Sequence, residues 1–219
     1  MPPAAIIFDN DGLLLDTEGA WTRAETTLFT RHGGTFSAEH KRELIGSSHT
    51  VAAGKLELML GLPGRGPELM AELHDLVMQE ALREVLPRPG AVELVGALRE
   101  AGIPVAVASN SPRAFLDRVL RTGGVAGLFG VTVAGDEVPR PKPAPDIYLE
   151  ACRRLGADPE ASVGLEDSPT GAAAAKAAGL TVVGVPYLAD LEIPDADLVA
   201  SSLADAAVHA ACGLVSSAR

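Results

Sequence analysis

Short apolar runs that stop at a polar residue recur along this chain. Residues 4–8 (AAIIF) end at Asp9, and after a long gap VAVAS at 105–109, VTVAG at 131–135, SVGLE at 162–166 and TVVGV at 181–185 repeat the pattern. Runs of this length, apolar throughout rather than alternating, predict strands covered on both faces. Apolar residues at i, i+3 and i+4 predict helices over 91–101, 112–122, 145–155 and 169–178. Strand and helix in alternation predict an α/β fold built on a doubly wound, Rossmann-like parallel sheet. In such a sheet ligands bind outside the carboxyl ends of the strands, where Asp9, Ser109 and the pair Glu166–Asp167 all fall.

The stretch 17–85 breaks the alternation. It holds Leu, Met and Ala at helical spacing, no run that reads as a strand, and a turn-rich GLPGRGP at 61–67. It is expected to be an inserted α-helical domain, with 1–16 and 86–219 forming the sheet domain. The edges fall at Asp16–Thr17 and at the turn Pro87–Arg88–Pro89–Gly90. The low-complexity GAAAAKAAG at 171–179 reads as a helix whose small side chains let it lie close to the sheet.

Composition narrows the ligand. With 219 residues and 47% hydrophobic content the chain can bury a sizeable core. A formal charge of -11 opposes a sequence-independent grip on nucleic acid or an anionic membrane, both of which need clustered cations. A small ligand is therefore expected, and an anionic one needs a metal ion, a few placed cations or helix N-termini. Two cysteines, Cys152 and Cys212, without CxxC spacing suit a reducing compartment. No basic stretch precedes the first apolar run, and none approaches the roughly 18 residues of a membrane span. The expected location is the cytoplasm.

Chemistry concentrates in Phe8–Asp9–Asn10–Asp11–Gly12. Two carboxylates two residues apart, just past a strand, can reach one small site. One can attack phosphorus while the other gives a proton to a departing alkoxide and takes one from water. A turn or helix cap explains a lone DxDG as well. Glu166–Asp167 brings a second carboxylate pair, and four such groups at neighbouring strand ends call for a cation; magnesium (Mg2+), which prefers oxygen ligands, is expected. Asp167 or Ser168 ahead of Pro169 also suits a helix start. Ser109 and its neighbour Asn110 can offer a hydroxyl and a backbone N–H to phosphate oxygens, and Lys142 is restrained by the prolines of PRPKPAPD.

Taken in order, DNDGLLLDTE, VASNS, KPAPDIY and GLEDSPTGAAAAKAAG resemble the four motifs of haloacid-dehalogenase-like phosphatases. The resemblance implies that Asp9 forms an aspartyl-phosphate, that Asp11 is the general acid and base, and that Ser109 and Lys142 hold the transferring phosphoryl group. It implies that Asp9, the Asp11 main-chain carbonyl and Asp167 bind magnesium, with Glu166 binding the metal or orienting its waters. Asn10 is an ordinary variable position in it. The insertion resembles the mobile helical cap of the beta-phosphoglucomutase-like branch, whose closure excludes water and selects the leaving group. In the cap, Trp21 and His49 are expected substrate contacts, and Lys55 is a further candidate. The implied substrate is a small phosphorylated metabolite (a sugar, polyol or nucleoside phosphate), and the implied state a monomer.

Other activities are weighed on residues. Mutases of that branch carry a histidine where Trp21 aligns and a phosphate-gripping arginine where His49 aligns, which disfavours a sugar phosphomutase. Dehalogenases lack the second motif aspartate, present here as Asp11. A related phosphonate hydrolase needs a Schiff-base lysine, for which Lys55 is the one to exclude. An inactive binding module would lack a motif residue, and Asp9, Asp11, Ser109, Lys142 and Asp167 are all present.

Overall fold

The computed structural model describes residues 2–45, 47, 49–81 and 85–214. Met1, Gly46, Ser48, 82–84 and 215–219 lie outside the described residues, so parts of the expected insertion and of both ends of the sheet domain do too. In chain order the elements are β1 (Ile6–Phe8), β2 (Leu15–Asp16), α1 (Glu18–Arg31), α2 (Ala38–Leu44), α3 (His49–Leu60), α4 (Gly66–Glu80) and β3 (Leu86–Pro87). There follow α5 (Ala91–Glu100), β4 (Val105–Ser109), α6 (Arg113–Thr122), β5 (Val131–Ala134), α7 (Asp146–Leu155), β6 (Val163–Glu166), α8 (Pro169–Ala177), β7 (Thr181–Gly184), β8 (Leu198–Val199) and α9 (Ala206–Ala211).

Six strands form one parallel sheet in the order β5-β4-β1-β6-β7-β8. The five apolar runs supply five of them. The central strand, β1, is fully buried, and its alternating side chains feed two cores. Ile6 and Phe8 pack with Val107, Leu165 and the apolar faces of α5 and α6. Ile7 joins Ala106, Ala108, Tyr148 and the alanines of α8 on the other face. Helices on both faces make the sheet doubly wound, as the alternation predicts. Phe8 stands opposite Val107 on one side and Leu165 on the other, so Asp9 emerges at the level where β4 ends in Ser109 and β6 in Glu166.

Between β2 and β3 the chain makes an inserted helical region of α1 to α4, in which α4 packs against both α1 and α3. The two short strands pair antiparallel, Leu15 opposite Pro87 and Asp16 opposite Leu86, where the chain leaves the sheet and returns. At two residues each, they are too short to leave a periodic signal. Leu13, Leu14 and Leu15 are buried in a cluster that runs without a break from the sheet into the helical region, through Leu28, Leu56, Leu73 and Val77. Both cysteines are buried and free. Among the described residues, no helix is long and apolar enough to cross a membrane.

Candidate active site

The loop after β1 is held by its own backbone. Asp9 N–H donates to Leu165 O, the N–H groups of Leu14 and Leu15 both donate to Asn10 O, and Gly12 N–H donates to Leu15 O. Gly12 has φ +86°, and a Cβ there would sit 2.3 Å from Asp167 Oδ2. Glycine is thus required twice over, by the turn and by the close approach of the β6 carboxylate. Asn10 is fully buried and neither side-chain polar atom finds a hydrogen-bond partner.

Lys142 enters this loop from the segment between β5 and α7. Its Nζ donates to Asp9 Oδ1 and to Glu166 Oε1, both at 2.6 Å, and the side chain is almost wholly buried. Its backbone is clamped by Asn110, whose Oδ1 accepts from Lys142 N–H at 2.8 Å and whose Nδ2 donates to Lys142 O at 3.2 Å. Glu166 accepts on both oxygens: from Lys142 and the Tyr148 hydroxyl on Oε1, and from Asp167 N–H and the Ser168 hydroxyl on Oε2. Gly171 makes room for that carboxylate, since a Cβ there would meet it at 2.0 Å. Of the two expected helix starts, Ser168 caps α8, accepting from Gly171 N–H at 3.1 Å, which leaves Asp167 free of that duty.

Three carboxylates, Asp9, Glu166 and Asp167, each present an oxygen, and these oxygens lie within 4.8 Å of one another. Burial lifts the Asp9 carboxyl from an ordinary 3.8 to about 8; Lys142 opposes that rise, while Glu166 and Asp11 add to it. Asp167 is pushed well up by burial, then by Asp9 and Glu166. Its Oδ2 is buried with no hydrogen-bond partner. One lysine therefore does not balance the cluster, and an all-oxygen donor set with an orphaned carboxylate oxygen fits a hard divalent cation. Asp9 and Asp167 are the freer ligands, because Glu166 is engaged by four protein donors.

Asp11 is held differently. Its Oδ1 accepts from the Thr17 hydroxyl at 2.8 Å, and its Oδ2 accepts from the hydroxyls of Ser109 and Ser111, both at 2.9 Å. The side chain of Ser109 is thereby turned onto Asp11, and the residue is fully buried. Ser111 and Asn110 border the open space above.

The haloacid dehalogenase-like hydrolase family profile matches residues 3–179. The chain belongs to the haloacid dehalogenase-like hydrolases. It is 33% identical over 186 residues to a bifunctional riboflavin kinase/FMN phosphatase of Arabidopsis thaliana; the match takes in 84% of this chain but only 49% of that longer protein. Hexitol phosphatase B of Escherichia coli K12 is 33% identical over 83% of each chain. Among solved structures, a CbbY mutant from Rhodobacter sphaeroides in complex with xylulose 1,5-bisphosphate superposes with a TM-score of 0.80 at 30% identity, covering 93% of this chain and 96% of that one.

In this hydrolase a cavity of about 490 Å³ separates the helical region from the strand ends, with Asp9, Asp11, Lys142 and Asp167 on one wall. Trp21 and His49, from the helical region, also line the cavity. Trp21 stacks edge-on against Phe115 of α6 at 5.7 Å and His74 of α4 at 6.2 Å. His74, unremarked in the sequence, is 5.0 Å from His49; burial and that neighbour hold it below its ordinary value. Lys55 does not line the cavity; its ammonium donates to Glu43 O and the Ser47 hydroxyl. Thr17, Ser111, Tyr148, Glu18, Glu25 and Lys41 were given no role. Thr17 and Glu18 close DNDGLLLDTE, Ser111 closes VASNS and Tyr148 closes KPAPDIY, whereas Glu25 and Lys41 lie in no motif.

Proposed function

We propose that this hydrolase is a magnesium-dependent phosphatase of small phosphomonoesters that works through an aspartyl-phosphate on Asp9. The observation that carries the reading is the setting of Asp9: a buried carboxylate at the end of the central strand, 2.6 Å from Lys142, beside two further carboxylates and open to a metabolite-sized cavity. A carboxylate attacking a phosphate dianion meets strong repulsion, and the Lys142 ammonium on Asp9 reduces it. Magnesium held by Asp9, Asp167 and the Asp11 carbonyl, with Glu166 behind them, would neutralise phosphoryl charge and the repulsion among the carboxylates.

An Asp9 oxygen attacks phosphorus, and the leaving alkoxide takes a proton from Asp11. Water then attacks the acyl phosphate while Asp11 takes a proton from it, releasing phosphate and restoring Asp9. Lys142 holds the phosphoryl group and Asn110 fixes Lys142, while Ser109, expected to share that role, has its hydroxyl on Asp11 and aims the acid instead. Two relatives named as phosphatases, of FMN and of hexitol phosphates, support the class of substrate.

The test is phosphate release from a panel of sugar, polyol and nucleoside phosphates, with magnesium and with chelator. Release is expected only with magnesium, and Asp9→Asn is expected to lower it at least about a thousandfold while the protein still folds. Retained activity in Asp9→Asn, or conversion of a hexose 1-phosphate to its 6-phosphate without free phosphate, would overturn the reading.

A further inference from the structure

The helical side of the cavity carries a second buried charge cluster. Glu18 and Glu25, two turns apart on α1, flank Lys41 of α2. Lys41 Nζ lies 2.5 Å from Glu18 Oε2 and donates to Glu25 Oε2 at 3.1 Å. All three side chains are largely buried, and all three border the cavity. Burial pulls the Lys41 ammonium down, but the two carboxylates outweigh it and hold it above its ordinary value, so it stays charged. Burial lifts Glu25 despite Lys41, as expected where one cation serves two acids.

This arrangement leaves that side without a cation to spare. Lys41 is committed to two carboxylates, and Lys142 is committed to Asp9 and Glu166. Arg42, next along α2, pairs with Asp190. Among the described residues no arginine lines the cavity. A leaving group with its own phosphate would bring about two negative charges against Glu18 and Glu25, a like-charge meeting that the single Lys41 between them does not offset. A hydroxyl meets the opposite reception. It brings no charge against the two carboxylates, and the Trp21 ring in the cavity lining offers an apolar face to carbon-bound hydrogens.

We propose that Glu18, Lys41 and Glu25 form a leaving-group filter that accepts neutral polyhydroxylated groups, as in polyol and sugar monophosphates, and rejects a leaving group bearing a second phosphate. The proposal rests on the phosphatase reading above. It sets this chain apart from the structural relative solved with a bisphosphate.

Steady-state phosphate release from sorbitol 6-phosphate, fructose 1,6-bisphosphate and acetyl phosphate tests it in wild type, Glu18→Gln and Glu25→Gln. Acetyl phosphate releases acetate, which carries neither a hydroxyl nor a second phosphate for the filter to read; no release from it or from any phosphate ester sinks the phosphatase reading itself. With release established, wild type is expected to favour the monophosphate over the bisphosphate by about a hundredfold in kcat/KM. Either variant should shrink that ratio about tenfold, chiefly through the KM of the bisphosphate. A wild type that takes the bisphosphate equally well, or variants whose ratio matches wild type, would overturn the filter. The wild-type ratio decides even where a variant fails to fold.

Discussion

The carboxylate of Asp11 is gripped by three hydroxyls from two parts of the chain: Ser109 and Ser111 at the end of β4, and Thr17 where the inserted region begins. Thr17 touches no substrate in this arrangement and acts as a positioning residue, tying the aim of the proposed acid to the first turn of α1. Thr17→Val keeps the shape and removes one donor. It is expected to lower kcat about tenfold with little change in KM and to shift the basic or acidic limb of the pH–rate profile. A purely structural role would instead lower the melting temperature and leave the pH profile of the surviving enzyme unmoved.

At the scale of elements, α8 and α7 make opposite demands on their residues. Gly171 lies inside α8, where glycine to alanine ordinarily stabilises by up to about 1 kcal/mol. Here the added carbon would meet the Glu166 carboxylate, so Gly171→Ala is expected to destabilise by about 1–3 kcal/mol and to abolish phosphate release, as thermal melts and the phosphate assay will show. On α7, Glu150 accepts from Arg153 and Arg154 one turn on, and these bonds hold its carboxyl down from 4.5 to about 2. An unfolded Glu150 titrates near 4.5, so the pairing stabilises the fold above that pH and is lost as pH falls from 4.5 to 2. Melting temperatures measured at pH 6 and pH 3 should fall less for Glu150→Gln than for wild type. The difference will be small, because water reaches the arginines.

For the whole molecule, a cation held by the carboxylates at the strand ends, as proposed, would be a folding ligand as well as a cofactor. Magnesium at a hundred times its dissociation constant is expected to stabilise wild type by about 2.7 kcal/mol, read as a rise in melting temperature. Asp167→Asn should reduce that rise, a readout independent of activity. No response of the melt to magnesium would argue that the cluster holds no such ion.

Much of this was legible along the chain because buried strands announce themselves. A run such as AAIIF must end where a charged residue begins, so Asp9, Ser109 and Glu166 could be placed at strand ends, and alternation with helices implied that those ends face one way. The cavity's helical side was not legible. Glu25 and Lys41 lie in no motif and Glu18 only at the end of one, and only the packing of α1 and α2 brings the three together. Tyr148, though in a motif, gained meaning only through Glu166.

The sequence by itself determined the doubly wound sheet, the inserted helices and the acidic residues at the strand ends, because local periodicity and the burial of apolar runs act over a few residues. Only the tertiary structure decided that Lys142 stands between Asp9 and Glu166, 133 and 24 residues away, and that three hydroxyls hold Asp11. Those pairings depend on strand order, which puts β1 between β4 and β6, and no short-range pattern encodes that order.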